Sequence, residues 1–207
     1  MRHKHLSELD TADRIMEAAI PLFADRGFAG VSVREVLDAA AIGNFGAISY
    51  YFDGKEGLYT AILKKQFETH LKLAVFVNNL SASPIEKLKH AIQAIASVHQ
   101  RSPYTLKLVF NEINNPTCCF KVIKDPIEQL QSFLQSLIRE GVSQGYFRPD
   151  TDPGCVALAI YGMIQLAFLS PNFSANLPPA GTTNTITSQF KTNVLNWLKL
   201  SNLFKVS

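Results

Sequence analysis

Start and stop signals for helices recur along the whole chain, and almost nothing alternates with the two-residue period of a strand. Asp10 and Thr11, both good N-cap residues, predict a helix start. Ile15, Ala18, Ala19, Leu22 and Phe23 follow at three-and-four spacing, and Gly27 ends the segment. Ser32-Val33-Arg34-Glu35 reads as a capping box, in which the serine oxygen and the glutamate carboxylate satisfy orphan backbone donors. It opens a short helix that turns Val36, Leu37 and Ala40 inward. Ala41-Ile42-Gly43-Asn44 predicts a tight turn, with Gly43 taking the positive φ and Asn44 capping the next helix. That second short helix is expected from about Phe45 to Tyr51. Asp53-Gly54-Lys55-Glu56 then opens a long helix to about Val77.

Prolines punctuate the remainder. Pro84 predicts a helix to about Gln100, Pro103 one to about Asn114, and Pro126 one to about Gln144. On the last of these Ile127, Leu130, Leu134, Leu137 and Ile138 form a continuous stripe. Asp150-Thr151-Asp152-Pro153 caps the most apolar helix, Gly154 to Leu169. Ser170 to Thr183, rich in Pro, Asn, Gly and Ser, reads as a loop, and a final helix carries Ile186, Phe190, Val194, Trp197 and Leu198. The expected fold is all-α, with about nine helices. A helix-turn-helix three-helix domain occupies 1–54, and a larger helical ligand-binding and dimerisation domain occupies 55–207.

Composition narrows the class. With 47% hydrophobic and 18% charged residues in 207, the chain has the makings of a packed core and is not disordered. Its most apolar run, Val156 to Leu169, has 14 residues and contains Gln165, whereas a membrane-spanning helix needs about 20. The polar start MRHKHLSELD does not resemble a signal peptide, and three cysteines make no disulfide framework. The expectation is a cytoplasmic protein without membrane association.

No nucleophile–base pair, phosphate-binding glycine loop or carboxylate pair stands in a catalytic context, so no enzyme activity and no cofactor are expected. His90 shares a helix face with Glu86, but zinc needs more ligands at suitable spacing, so no metal site is expected. Cys118 and Cys119 are adjacent. Neighbouring side chains ordinarily point apart and no third thiolate is near, so the pair is read as incidental.

A short helix, a glycine-containing turn and a second short helix form the grammar of a helix-turn-helix. Such a unit lays its second helix in the major groove while the first braces it across the backbone. Here Ile48 and Phe52 are spaced to anchor the second helix against Val36, Leu37 and Phe23. Its other face presents Asn44, Phe45, Ala47, Ser49 and Tyr51. Lys55, at the start of the next helix, is placed to meet a phosphate.

The run IMEAAIPLFADRGFAGVSVREVLDAAAIGNFGAISYYFDGKEGLYTAIL resembles the N-terminal DNA-binding domain of TetR-family transcriptional regulators. Ala18-Ala19, Leu22-Phe23, Gly27-Phe28, Ser32-Val33-Arg34, Tyr50-Tyr51-Phe52 and Lys55-Glu56 fall where that family places such residues. The resemblance implies a recognition helix from about Asn44, with Tyr50, Tyr51 and Lys55 near backbone phosphates and Ser32 and Arg34 also touching DNA. One departure stands out. The turn Ala40-Ala41-Ile42-Gly43-Asn44 is one residue longer than the family's, which leaves the base-reading register open by one position. The recognition helix holds no Arg or Lys, so Asn44, Ser49 and thymine-methyl contacts from Ala47 or Phe45 remain for base reading. The stretches Arg101 to Thr117 and Phe147 to Pro153 resemble the CecR-type branch of the family more loosely.

The resemblance implies a ligand-responsive DNA-binding regulator, a repressor released from a palindromic operator by a small-molecule effector. His99, Asn111, Glu112 and Gln165, polar residues among apolar helices, are the candidate effector contacts. Homodimerisation is expected through helices about 126–144 and 154–169, where Val156, Ile160, Met163, Ile164, Ala167 and Phe168 accompany small Ala157, Ala159 and Gly162. The alternative is a helical small-molecule-binding protein or enzyme whose helix-turn-helix is only structural; a protein-interaction module is a third reading. Net charge does not choose among them. The total is +3, yet the chain through Lys65 carries 8 Lys and Arg against 9 Asp and Glu.

Overall fold

In the computed structural model, which describes residues 2–169 together with 192 and 196, eight helices account for the regular structure and no strand occurs among the described residues. They are α1 (Arg2–Arg26), α2 (Val33–Ala39), α3 (Ala47–Phe52), α4 (Lys55–Asn78), α5 (Pro84–Arg101), α6 (Tyr104–Asn114), α7 (Phe120–Ser143) and α8 (Pro153–Leu169). Two compact units divide them. One joins the chain up to Phe67 with Tyr104–Asp125, and the other joins Glu68–Pro103 with the chain from Pro126 onward.

The first unit is built on α1. Ile15, Ala19 and Phe23 are fully buried along it, as their spacing predicts, and Gly27 ends it at φ +69° with its N–H bonded to the Phe23 carbonyl at 2.9 Å. The Phe23, Phe28 and Tyr59 rings pack with centroids 4.9 to 6.2 Å apart and tie the end of α1 to α4. Asn111 of α6 donates to the Phe23 and Ala24 carbonyls at 3.1 and 3.0 Å, meeting acceptors that a helix end leaves open.

The start of α1 corrects the reading of Asp10 and Thr11 as caps, because both lie inside the helix. Neither Gly nor Pro occurs before them to stop it.

In the second unit Leu130, Leu134, Leu137 and Ile138 of α7 are buried with Leu88 and Ile92 of α5 and Val156, Ile160 and Ile164 of α8. Gly141 leaves room for the Phe147 ring, which a Cβ there would overlap. The start of α8 is as expected, since Asp152 Oδ1 accepts from the Cys155 N–H at 2.6 Å.

The start of α7 is not as expected. It begins at Phe120, so Pro126 lies inside the helix rather than opening it. A helix-interior proline costs about 3 kcal/mol. Here the fully buried Ile123 and a turn stapled by Thr117 extend the helix past that penalty. The expected loop 170–183 and the final helix over Ile186 to Leu198 fall outside the described residues, apart from helical backbone at 192 and 196.

Candidate nucleic-acid interface

The capping box forms as read, and it is held from both sides. The Glu35 N–H donates to Ser32 Oγ at 3.2 Å, and Glu35 Oε2 accepts from the Ser32 N–H at 2.8 Å and from its hydroxyl at 2.7 Å. Arg26 adds a 2.8 Å ion pair from the end of α1. Those bonds, Arg26's first, hold the Glu35 carboxyl down to about 2. Ser32, a candidate DNA contact, thus has its hydroxyl proton committed to Glu35. Arg34, one position inside α2, is 77% exposed, with Asp38 3.9 Å away.

The turn after α2 uses different atoms from those expected. Ala41, not Gly43, takes the left-handed conformation at φ 54°. Arg14 of α1 donates to the Ala40 carbonyl at 2.8 Å and reaches that of Ala41 at 3.4 Å, which fixes the turn from outside it. Asn44 Oδ1 accepts from the Gly46 N–H at 2.9 Å, an Asx turn that launches α3 from Gly46. Asn44 and Phe45 therefore precede the recognition helix and do not lie on it, which moves its start two residues past the Phe45 expected from the pattern and three past the Asn44 implied by the resemblance.

The short α3 is pinned through Ala47 and Ile48, 3% and 1% exposed. The burial of Ala47 corrects its assignment to the outward face, because its methyl points into the core. Outward stand Phe45, Ser49 and Tyr50, with Tyr50 74% exposed and set edge-on to the half-buried Tyr51 at 4.9 Å. Asp53 closes α3 at φ 58°, and Gly54 follows at φ +98°. Lys55 begins α4 with Nζ 4.3 Å above the Phe28 ring, which presets its position. Ser32, Arg34, Asn44, Phe45, Ser49, Tyr50, Tyr51 and Lys55 thus come from the starts of α2 and α4, from α3 and from the turn before it, all in a single unit. Of the residues that hold them in place, Glu35 and Phe28 belong to motifs visible in the sequence, whereas Arg14 and Arg26 carry no motif signal.

The four candidate effector contacts divide between the units. In the first, Asn111 is bound to the end of α1, and the buried Glu112 accepts from the Thr117 N–H at 3.2 Å and from its hydroxyl at 3.0 Å. Both are structural. In the second, His99 is 2% exposed and neither ring nitrogen has a hydrogen-bond partner. His70 and Phe168 face it at ring distances of 5.1 and 5.8 Å. Burial, then His70, lowers the His99 imidazole to about 3. Gln165 is half-buried one turn after Tyr161, whose hydroxyl burial pushes up to about 12. His90 is exposed, and among the described residues no three His, Cys, Asp or Glu are grouped to hold a metal ion.

Residues 15–62 match the model described as bacterial regulatory proteins, tetR family, and residues 81–168 match the tetracyclin repressor-like C-terminal domain. The chain is 28% identical over 169 residues to the probable HTH-type transcriptional regulator YttP of Bacillus subtilis (strain 168), covering 80% of this chain and 81% of that one. It is 30% identical over 138 residues to an uncharacterized HTH-type transcriptional regulator in the lacX 3' region of Lactococcus lactis subsp. lactis, covering 65% and 69%. The structure of AibR in complex with isovaleryl coenzyme A and operator DNA shares the fold, with a TM-score of 0.71 at 20% identity over 91% of this chain and 97% of that one. A helix-turn-helix with a pinned core face and an exposed outer face, together with these matches, places the chain in the TetR family of bacterial transcriptional regulators.

Proposed function

We propose that this chain is a ligand-responsive repressor that binds a palindromic operator as a homodimer. The observation that carries the reading is α3: Ala47 and Ile48 fix it in the core, while Ser49, Tyr50 and the preceding Phe45 are left outward. Arg34 and Lys55 supply phosphate contacts on either side, and base reading falls to Ser49, to the amide nitrogen of Asn44 and to apolar contact by Phe45. In this division of labour residues 1–54 bind DNA, and residues 55–207 bind effector and dimerise, in the cytoplasm.

A single helix-turn-helix covers few base pairs, so affinity comes from two copies reading half-sites about 34–36 Å apart. The exposed face of α8, with Leu158, Met163 and Leu166 beside small Ala159 and Gly162, suits self-association together with α7. The proposed effector site is at His99 and Gln165. Two unsatisfied imidazole nitrogens in an apolar core are a strong reason for a bound polar group. AibR, which shares the fold, is seen with isovaleryl coenzyme A, a short apolar acyl group on a large polar carrier, and the proposed effector likewise carries both an apolar and a polar part. Effector binding lowers operator affinity by its preference for the non-binding conformation.

The test is salt-dependent titration of duplex from the region upstream of the chain's own gene. Tight, salt-sensitive binding is expected. Arg34→Ala or Lys55→Ala should weaken binding to all sequences and reduce the logarithmic salt slope by about one each. Absence of salt-sensitive binding in the unsubstituted protein would leave the helix-turn-helix a structural element only.

A further inference from the structure

Two adjacent thiols at the start of α7 serve neither the operator contact nor the effector site. Their Sγ atoms lie 3.7 Å apart, with Cys118 exposed and Cys119 buried. The turn that carries them is built: Glu112 holds Thr117, and Thr117 Oγ1 accepts from the Cys119 N–H at 3.0 Å. Adjacent side chains ordinarily diverge, but this turn brings both sulfurs to one side. Two sulfurs each about 2.3 Å from one centre lie about 3.3 to 3.8 Å apart for bond angles from about 90° to tetrahedral, so a pair 3.7 Å apart closes on one thiophilic atom with a shift of a few tenths of an ångström.

The donor set selects the atom. Structural zinc takes four ligands, and among the described residues no third His, Cys, Asp or Glu completes a group. A disulfide would require the sulfurs to approach to about 2.05 Å. Thiolate attack is also suppressed, since the hydrogen bond with Cys119, burial and the nearby Glu56 push the Cys118 thiol up to about 11. An organic trivalent arsenical, whose third bond is to carbon, needs only two sulfurs and reacts with the protonated thiols, releasing their protons in water. We propose that Cys118 and Cys119 form a chelating site for trivalent arsenicals, coupled to the start of α4.

The reaction balances without redox. Two S–H bonds and the arsenic–oxygen double bond of an organic arsenoxide break, two As–S bonds form, and both protons leave with the oxygen as water. Arsenic stays trivalent. The step takes the proton that Cys119 donates to the Glu56 carbonyl at 3.8 Å, and it disturbs the sulfur that accepts from the Thr60 hydroxyl at 3.3 Å. Glu56 and Thr60 belong to the first two turns of α4, directly after Lys55, so chelation displaces the turn that presents Lys55. This consequence, unlike chelation itself, rests on the operator reading.

The test treats the full chain with one equivalent of phenylarsine oxide and measures intact mass, free thiols and duplex affinity separately. The expected result is one arsenical per chain, two thiols lost, reversal by a small 1,2-dithiol but not by equivalent monothiol, and at least a tenfold fall in duplex affinity. Cys155→Ser should preserve all of these. Cys118→Ser, at an exposed position, should abolish dithiol-specific retention and the affinity response. Reversal by monothiol, or retention in Cys118→Ser, overturns the chelating site. Chelation without a change in duplex affinity overturns its coupling to α4. If the untreated chain binds no duplex, the operator reading fails, and mass and thiol count alone decide chelation.

Discussion

Ala41 carries a Cβ through the left-handed region at φ 54°, which costs an L-residue about 1–2 kcal/mol. Arg14, by holding the Ala40 and Ala41 carbonyls, keeps the backbone there despite that strain. Glycine would relieve it, at the expense of a more flexible unfolded chain. Ala41→Gly is therefore expected to raise stability by about 0.5–1 kcal/mol, read as a shift in the urea midpoint at unchanged slope. An unchanged midpoint would show that the turn is relaxed with alanine. The same residue explains a limit of sequence reading. Gly43 is the residue type that favours such backbone, whereas the left-handed residue is Ala41, held there by Arg14 from another helix. Ala47 teaches the same lesson. Alanine suits either face of a helix, so only packing revealed that its methyl is buried.

Local chemistry made most elements legible. The capping box at Ser32, the glycine stop at Gly27 and the Asp152 cap of α8 formed as read, because each satisfies its own backbone donors within three or four residues. Short or extended elements were harder. With six residues, α3 is too brief for periodicity to fix its first turn, and α7 overrode its proline through the burial of Ile123. At the join of α3 to α4 the backbone of the two elements approaches closely. A Cβ on Gly57 would overlap the Phe52 carbonyl oxygen, which is backbone and cannot swing away. Gly57→Ala should cost about 3 kcal/mol, the upper range for overpacking, and weaken duplex binding by shifting α3 against α4. Thermal unfolding alongside duplex titration checks this. A melt matching the unsubstituted protein would mean the two helices have slack.

For the molecule as a whole, acid and self-association give the sharpest tests. His99 is held near 3 in the folded chain against 6.5 ordinarily, so the unfolded state binds more protons between those values. Stability should therefore fall as pH drops below 6.5. Glu35, whose folded value is about 2, adds its own loss only below about 4.5. His99→Phe is expected to flatten the dependence of the unfolding midpoint on pH between 6.5 and 5; an unaltered slope would show that the folded imidazole takes the proton. Leu158, 64% exposed on α8, costs the single chain little when replaced. Leu158→Glu should shift sedimentation towards monomer and weaken duplex binding, and a dimer that survives it would move the interface off this face of α8. What the sequence determined unaided was the all-helical class and the order of the helix-turn-helix, since caps, glycines and apolar spacing act over a few residues. What only the tertiary structure decided was which polar groups are committed. Asn111 and Glu112 hold backbone, His99 is left unsatisfied, and the two sulfurs meet, because hydrogen-bond partners, and the turn that brings those sulfurs together, exist only once the helices are packed.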